Sequence, residues 1–425
     1  MKQEIKERVE KIRNGEVPEG YKETKIGILP EDWELEPLGN LFNFKNGVNA
    51  EAEKYGKGIK FINIMEVINN NALSSKLIPG EVELSKKAIK ENLVIKGDVL
   101  FNRTSETAED IGLTSVYLDN AEVVFGGFVI RGREKKKVLH YEYKKYCFRC
   151  SYLRNQMRVR GQGVVRSNIG QKDLEKVMLH IPSTNEQRKI AEILLTWDKA
   201  IELKEKQISY SNEHKKGFMQ KLLFKREAIN ILWTGTKLRN CLIPTSYPVN
   251  KPSEPYYALG IRSHCKGTLV RYIEDPNKIA MDTLYEVKEN ELIVNITFAW
   301  EGAITILSKK DEGKLVSHRF PTYKFNEEYV SLDYFRHLIK TKWFVFQLGL
   351  LSPGGAGRNR VLNKTDLLKL EVILPPIEEQ RKIADFLNSI DNEIDLLNKE
   401  LNQFKEQKRG LMQLLLTGIV RVEVN

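Results

Sequence analysis

One string of eleven residues occurs in two closely similar copies, and this repeat limits the possible folds more than any other feature. The first copy, IPSTNEQRKIA, covers residues 181–191, and the second, LPPIEEQRKIA, covers residues 374–384. The copies lie 193 positions apart, and the match continues without a gap to Gly217 and Gly410. A period this long lies outside the range of solenoid repeats and indicates duplicated modules.

Apolar residues after each string recur at alternating steps of four and three, which is the a and d pattern of a coiled coil. In the second copy these residues are Ile383, Leu387, Ile390, Ile394, Leu397, Leu401, Phe404, Leu411 and Leu415, with Lys408 as a polar member. In the first copy they are Ile190, Leu194, Trp197, Ile201, Ile208, Phe218 and Leu222, with Lys204, Ser211 and Lys215 among them. The alternative is one amphipathic helix on each domain's own core, but ordinary helices run to roughly 20 residues. We therefore predict two rods of roughly 50 Å, at ~1.5 Å per residue, that pair with each other.

Length and charge narrow the class of protein. A chain of 425 residues has room for two or three domains with cores of their own. The net charge of +11 and the pI near 9.1 favour a polyanionic partner. Because no apolar run is long enough to span a bilayer and the start is not a signal peptide, we expect no membrane partner and a cytoplasmic location.

The four cysteines predict free thiols rather than disulfides or a metal site. Cys147 and Cys150 form a lone CxxC, whereas a zinc site needs a second ligand pair at suitable spacing. Cys241 and Cys265 do not supply that pair. Four cysteines in a chain of this length are typical of a reducing interior.

The segments between the copied strings have a mixed pattern, with short apolar runs separated by Gly, Asn and Asp turns. In the first half we predict strands at 60–64, 98–102, 113–118 and 123–130 and a helix at 141–158, after a short charged helix at 1–14. In the second half we predict strands at 291–295, 303–307 and 315–325 and a helix at 333–349. Similarity between the halves is high in the long helices and low elsewhere, so the two domains have related but different tasks.

Signals at the helix ends support these boundaries. Ser183 and Glu186 can form a capping box, Pro376 suits a first helical turn, and Gly418 is a helix stop. Gly217 and Gly410 lie inside the helices, where a glycine costs about 1 kcal/mol against alanine. Either the rods approach each other closely at these glycines, or the rods contact another protein there.

The sequence contains no recognisable catalytic constellation. It lacks GxxxxGK[ST], a GxGxxG after a strand, GxSxG and the Asn/Asp-Pro-Pro-Tyr loop of amino-methyltransferases. The six histidines are scattered without the paired spacing of metal ligands. We therefore expect a chain that is not an enzyme and that has no cofactor-binding or metal site of its own.

Arginines and aromatic residues concentrate near the end of each variable domain. Arginine grips phosphates and reads guanine edges bidentately, so these clusters are candidates for contact with DNA. For any one arginine, a solvated helix face remains an alternative. The candidates are Arg103, Arg149, Arg154, Arg158, Arg160, Arg166, Arg262, Arg358 and Arg360.

Several separated motifs together resemble the specificity subunit of type I restriction-modification systems. They are the segment GYKETKIGILPEDW at 20–33, the two copied strings, and the helix ends GFMQKLL and GLMQLLLTG at 217–223 and 410–418. The match spans the whole chain. One departure is that many relatives repeat the N-terminal motif after the first helix, whereas 224–237 is short and lacks it.

The resemblance implies an α+β fold with an internal pseudo-twofold repeat. It implies two mixed α/β target-recognition domains, separated by two long conserved helices that form an antiparallel coiled coil. The corresponding segments are an N-terminal arm at 1–33, recognition domain 1 at 34–180, a central helix at 181–228, recognition domain 2 at 229–373 and a C-terminal helix at 374–425.

The resemblance also implies partners and a division of labour. Each recognition domain reads one half of a split, asymmetric sequence in double-stranded DNA, and the coiled coil sets the spacing. Two methylation subunits carry S-adenosylmethionine, and restriction subunits supply ATP- and Mg-dependent translocation and cleavage. Two other classes stay open: a coiled-coil scaffold without a role in DNA reading, and a self-contained restriction-methylation enzyme.

Overall fold

The structure, a computed structural model, describes residues 3–107, 109–163, 167–224, 233–355 and 360–423. The chain divides into two compact units. Unit 1 comprises Met1–Lys204 and Glu400–Asn425, and unit 2 comprises Glu205–Lys399. Two long helices of 41 and 40 residues each contribute one part to unit 1 and the other part to unit 2. Arg166 and Arg358 lie outside the described residues.

Unit 1 is built mainly from short strands. Its elements in chain order are α1 (Gln3–Arg13), β1 (Tyr21–Thr24), β2 (Gly27–Pro30), β3 (Glu34–Pro37), α2 (Leu38–Leu41), β4 (Phe42–Asn46), β5 (Tyr55–Ile62), α3 (Ile64–Asn69), β6 (Ala72–Leu73), β7 (Glu81–Val82), α4 (Lys86–Asn92), β8 (Val99–Asn102), β9 (Thr104–Ser105), β10 (Thr114–Tyr117), β11 (Val124–Phe125), β12 (Val129–Glu134), α5 (Tyr141–Cys147), α6 (Ser151–Arg160), β13 (Ser167–Asn168), α7 (Gln171–Glu175), β14 (Met178–Ile181) and the start of α8 (Thr184–Phe224).

Unit 2 repeats the plan with a different set of strands. After the end of α8, its elements are β15 (Thr234–Lys237), α9 (Leu238–Cys241), β16 (Leu242–Thr245), β17 (Pro248–Asn250), β18 (Tyr256–Ile261), β19 (Thr268–Ile273), β20 (Thr283–Glu286), β21 (Leu292–Val294), β22 (Ile304–Ile306), β23 (Leu315–Val316), β24 (Thr322–Phe325), α10 (Leu332–Leu338), α11 (Lys342–Leu350), α12 (Lys364–Lys369), β25 (Glu371–Leu374) and the start of α13 (Ile377–Leu416).

A fully buried strand lies at the centre of each unit. In unit 1, β8 is the middle strand of the sheet β4-β12-β8-β10-β6, and β11-β5-β7 form a second sheet. In unit 2, β21 lies inside the sheet β16-β24-β21-β22, and β17-β20-β23-β18-β19 form the second. The apolar run of each central strand suits burial on both faces, which explains the lack of strict alternation in these segments.

The variable segment of each unit begins and ends in one pair of antiparallel strands. In unit 1, Glu34 of β3 lies opposite Ile181 of β14. In unit 2, Thr234 of β15 lies opposite Leu374 of β25. The chain therefore enters and leaves each domain at one point, directly beside the start of a long helix.

The glutamine of each copied string fixes this helix start to the domain. The Gln187 side chain donates to the carbonyls of Pro182 and Val138 and accepts from the amide of His140. Gln380 makes the same three kinds of bond in unit 2. Both glutamine side chains are buried, and each makes three hydrogen bonds. The string is repeated because the start of each long helix is attached to its domain by the same contact.

The two long helices run antiparallel within each unit, which confirms the predicted coiled coil. In unit 1, Trp197 packs edge-on against Phe404 with ring centroids 5.8 Å apart, and Lys204 reaches Glu400 at 2.8 Å. In unit 2, the rings of Phe218 and Phe386 pack edge-on, with centroids 5.1 Å apart.

The lysines that interrupt the apolar pattern form ion pairs between the helices. Lys408 pairs with Asp198 in unit 1, and Lys215 pairs with Asp391 in unit 2. These two pairs occupy equivalent positions in the repeat. The polar members of the pattern, which weaken the apolar seam, therefore fix the register of the helices.

The apolar a and d residues of the two long helices, which form the seam between them, differ in burial. The buried ones are Ile190, Leu194, Ile383, Leu387, Ile394, Leu397, Leu401 and Leu415. The half-buried ones are Trp197, Ile201, Ile208, Leu222, Ile390, Phe404 and Leu411. Phe218 is 38% exposed despite its contact with Phe386.

Some predicted elements are wrong in their continuity. The helix predicted at 141–158 is two helices, α5 and α6, and that at 333–349 is α10 and α11. In the second case the Thr341 hydroxyl donates to the Leu338 carbonyl and accepts from the Phe344 amide, so it ends one helix and caps the next. The strands predicted at 123–130 and 315–325 are likewise each broken into two.

The capping box predicted at the start of α8 is only half formed. The Ser183 hydroxyl accepts from the Glu186 amide at 3.3 Å. The Glu186 side chain turns away, accepts from the Trp33 indole nitrogen at 2.9 Å and pairs with Arg421. The charge-assisted hydrogen bond from Arg421 stabilises the buried Glu186 carboxylate more than a backbone amide at the helix end would.

A buried histidine makes unit 1 sensitive to acid. His180 is 2% exposed and stacks on Tyr152 with ring centroids 4.1 Å apart. Burial lowers the pKa of His180 to about 4. In the unfolded chain the His180 side chain becomes protonated near pH 6.5, whereas in the folded chain it becomes protonated only near pH 4.

We expect unit 1 to lose about 3 kcal/mol of stability through His180 as the pH falls from 6.5 to 4. His180→Phe removes the titrating group, so the slope of stability against pH in this window becomes smaller. Urea unfolding at a series of pH values measures both proteins. Equal slopes for the two proteins would exclude His180 as the source.

Candidate nucleic-acid interface

The central strand of each unit ends in the same asparagine turn. The Asn102 side-chain oxygen accepts from the Thr104 amide at 3.2 Å after β8. The Asn295 side-chain oxygen accepts from the Thr297 amide at 3.1 Å after β21. The two asparagines are equivalent in the repeat, so the duplicated domains retain one backbone frame at this point.

The residue after each asparagine joins two further chain segments to this turn. In unit 1, the Arg103 amide donates to Phe128 and the Arg103 carbonyl accepts from Ile169. In unit 2, the Ile296 amide donates to Arg319 and the Ile296 carbonyl accepts from Leu362. We call this three-segment arrangement the turn frame.

The side chains on the turn frame differ between the units although the backbone bonds do not. Positions 103 and 128 hold arginine and phenylalanine in unit 1, whereas positions 296 and 319 hold isoleucine and arginine in unit 2. Common backbone with variable side chains is what a pair of domains with different targets requires.

In unit 1 the turn frame borders a cavity of about 400 Å³. Met65 and Phe128 are more than half exposed at this cavity, and Glu106 and Asp110 contribute carboxylates. The Arg103 guanidinium donates to the Gly127 carbonyl at 3.2 Å beside it. Exposed apolar side chains next to polar groups mark a contact surface.

Two of the candidate arginines have structural partners inside unit 1. Arg149 donates to the carbonyls of Thr114, Val67, Ile68 and Asn70. Arg154 donates to the carbonyls of Ile111 and Glu109. Burial lowers the pKa of each to about 10, so both remain charged at neutral pH. Their contact with DNA stays a prediction, and these carbonyl bonds compete with it.

Of the other described candidates, Arg158 and Arg262 are exposed, whereas Arg160 and Arg360 are half-buried. Arg158 is exposed and pairs with Glu109 at 3.3 Å, and Arg160 donates to the Gln156 carbonyl at 2.9 Å. Arg262 is exposed in the loop between β18 and β19. Arg360 lies on the turn-frame side of unit 2, two residues before Leu362. Their roles stay predictions.

The sequence reasoning missed the residues that the turn frame selects. Arg319 donates to the Thr297 hydroxyl at 3.1 Å and is exposed, and Trp300 follows in the same turn. The signal was present: Asn102 and Asn295 end the matching strands of the repeat. The sequence after Asn295 leads to Trp300, five positions on, but Arg319 is joined to this turn only by the backbone bond from Ile296.

Gly217 and Gly410 face open space in the described structure. A Cβ atom added at either glycine meets nothing within 4 Å. The explanation that the rods approach closely at these positions is therefore wrong. On α8, Leu203, Tyr210 and Phe224 continue a line of exposed residues through Gly217 at heptad spacing. Contact with another protein is the explanation that remains.

We expect Gly217→Ala and Gly410→Ala each to stabilise the free chain by about 1 kcal/mol. The reason is that alanine restricts the unfolded chain and meets no atom in the folded one. Urea unfolding of the two variants and the parent measures the change. Destabilisation by either alanine would mean that the glycine has a close neighbour.

Three features of the described residues bear on other classes of site. No group of three or more His, Cys, Asp or Glu side chains in the described ranges could hold a metal ion. Within the same ranges, none of the helices combines the length and apolar character needed to cross a membrane. All four cysteines are free thiols.

Two similar domains with one backbone frame, different surface side chains and paired helices define a two-domain recognition protein. The chain belongs to the family of the type I restriction modification DNA specificity domain, whose model matches residues 30–210 and 250–406. The resemblance drawn from the sequence is confirmed.

Relatives match over nearly the whole chain. The putative type I restriction enzyme MjaX specificity subunit of Methanocaldococcus jannaschii is 28% identical and covers 95% of this chain and 97% of its own. The type I restriction enzyme StySPI specificity subunit of Salmonella potsdam is 22% identical, with coverage of 94% and 90%.

One solved chain shows the same fold. It comes from work on complex assembly and conformational transition of the type I R-M system, and it has a TM-score of 0.57 at 13% identity. The match covers 92% of this chain and 99% of the solved one.

Proposed function

We propose that each recognition domain of this specificity subunit binds one half of a bipartite, asymmetric site in double-stranded DNA. The turn frame carries this proposal, because it repeats the backbone bonds of Asn102 and Asn295 and changes the side chains around them. Different side chains on a common frame select different bases. The two halves of the site therefore differ in sequence.

The long helices have two tasks in this proposal. Their length sets the gap between the half-sites, as dimer geometry does in other DNA-binding proteins. Their outer faces dock two methylation subunits. Support comes from the exposed Gly217 and Gly410, with the exposed Leu203 and Leu396, at equivalent positions of the repeat. A surface present twice suits a partner present twice.

The chemistry belongs to the partner subunits under this proposal. The methylation subunits bind S-adenosylmethionine and methylate adenine, and the restriction subunits use ATP and Mg. This chain supplies the choice of DNA sequence and acts in the cytoplasm.

Selection from a random duplex library tests the proposal directly. The chain is used alone and together with its methylation subunits, and bound DNA is sequenced. We expect enrichment of two separated motifs and a steep loss of affinity with added salt, since phosphate contacts release counterions. The complex should contain two methylation subunits for each chain. Absence of enrichment in both states would favour a coiled-coil scaffold without a DNA-reading role.

A further inference from the structure

Unit 2 contains an open cavity of about 590 Å³ whose described lining side chains include no carboxylate. Its charged side chains are Lys340, Lys342 and Arg360, which only donate hydrogen bonds, and His264 also lines it. A ligand for this cavity must therefore present acceptors. Guanine, with its O6 and N7, and phosphate both meet that requirement.

The cavity is held open by backbone contacts. The loop between β18 and β19 is fixed to the turn that contains Trp300. His264 donates its amide to Glu301 at 2.7 Å, and Cys265 donates its amide to Gly302 at 2.8 Å. The Glu301 carboxylate accepts from the Ser263 hydroxyl at 2.7 Å.

Arg360 is oriented before any ligand arrives. Its guanidinium lies over the Trp300 ring, 5.0 Å from the centroid. Its Nε donates to the Ser352 carbonyl at 3.2 Å, and its Nη2 donates to the Gly349 carbonyl at 2.8 Å. Two of the five N–H donors of arginine are thereby used, which leaves both hydrogens of Nη1 and one of Nη2. One hydrogen of Nη1 and the remaining hydrogen of Nη2 point end-on and form the fork that a bidentate contact uses.

Large apolar side chains border the same cavity and remain exposed. Phe346 is 64% exposed and Leu350 is 63% exposed, one turn apart on α11. Exposed apolar groups of this size beside an oriented arginine indicate a recognition surface rather than a simple solvated face.

The described residues of unit 1 carry different side chains at the equivalent positions. The backbone bonds of Ile169 and Leu362 align the two domains here, and the residue two positions earlier is Ser167 in unit 1 and Arg360 in unit 2. The residue five positions after the turn asparagine is Thr107 in unit 1 and Trp300 in unit 2. Arg360 and Trp300, which form the stacked pair, are therefore among the side chains that differ between the two domains.

We propose that Arg360, held on Trp300, reads a guanine in the half-site bound by recognition domain 2. This inference rests on the proposed function and adds a base and a residue to it. A phosphate contact positions a domain without carrying sequence information, and such a contact is expected in both domains. Arg360 occurs in one of them, and its fork is fixed in plane, which suits the planar O6 and N7 edge of guanine.

Arg360→Lys tests the inference because it keeps the charge and removes the fork. The chain is assembled with its methylation subunits, and sites are selected from a random duplex library at two salt concentrations. We expect one guanine position in one half-site to lose about 10- to 100-fold of its preference, with the other half-site unchanged. Arg239→Lys, at an exposed arginine on α9, is the matched control and should select the parent sequence.

Trp300→Leu provides a second variant that leaves the arginine in place and removes its stacking surface. It should relax the same guanine position, and circular dichroism checks that both variants are folded. A uniform loss of affinity with an unchanged motif and a smaller salt dependence would identify a phosphate contact and overturn the inference. The inference would also be overturned if the parent motif were bipartite but the half-site bound by recognition domain 2 contained no guanine. That result would leave the proposed function intact. Absence of any selected sequence for the parent would instead overturn the proposed function.

Discussion

Glu186→Ala is expected to destabilise unit 1 by about 2–4 kcal/mol, because it removes the acceptor of a buried indole donor and one of the two carboxylates that pair with Arg421. The carboxylate is 1% exposed, accepts from the Trp33 indole at 2.9 Å and accepts from Nε of Arg421 at 2.8 Å. Its loss leaves a buried indole donor without an acceptor. It also leaves Arg421 with Asp32, which is exposed to solvent. Urea unfolding with a probe in unit 1 measures the loss.

The copied string provides a matched control for this substitution. Glu379 occupies the equivalent position in unit 2, and it forms an ion pair with Lys382, one helical turn away at 3.8 Å. Glu379→Ala should change stability by about 0.5 kcal/mol or less. Equal effects at the two positions would mean that Glu186 acts as a helix-end residue and that the Trp33 and Arg421 contacts contribute little.

Deleting one heptad from each long helix is expected to shorten the gap between the half-sites by about three base pairs. Seven residues correspond to about 10 Å of helix, and B-DNA rises about 3.4 Å per base pair. The deletions are residues 201–207 and 397–403, segments that face each other through Lys204 and Glu400. Both half-site sequences should persist, since neither turn frame is altered. Selection from random duplex DNA reads the motif and the gap together.

Two single deletions serve as controls for the paired change. Removal of 201–207 or 397–403 alone displaces the ion pairs of Lys408 with Asp198 and of Lys215 with Asp391 relative to each other. Each single deletion should therefore lower helix stability and DNA binding. An unchanged gap in the double deletion would exclude helix length as the determinant of spacing.

The long helices and the duplication were predictable from the sequence because their signal is local and repeated. A heptad pattern sets the face of a helix within a few turns, and the copied string shows where each helix starts. Breaks such as the one at Thr341 were missed because a single hydroxyl, bonded to Leu338 and Phe344, decides them. Propensity over a window does not detect such a bond.

The candidate interface was predictable only in part because its partners are distant in sequence. The Ile296 amide donates to Arg319, and the Ile296 carbonyl accepts from the amide of Leu362, far along the chain. Arg149 and Arg154 looked like surface arginines, yet their guanidiniums bind carbonyls inside unit 1. Composition identifies arginine-rich segments, but burial and hydrogen-bond partners decide which arginines remain available. Arg360 was already a candidate from the sequence, whereas Arg319 emerges only from the turn frame, which required the backbone bonds.

The most direct test of bipartite reading is the pattern of methylated adenine in genomic DNA. Cells without other adenine methylation receive this chain with its methylation subunits, and methylated positions are read by single-molecule sequencing. We predict one motif made of two different half-sites separated by a gap of fixed length and free sequence. A single continuous motif, a palindrome or methylation unchanged by removal of this chain would contradict the account.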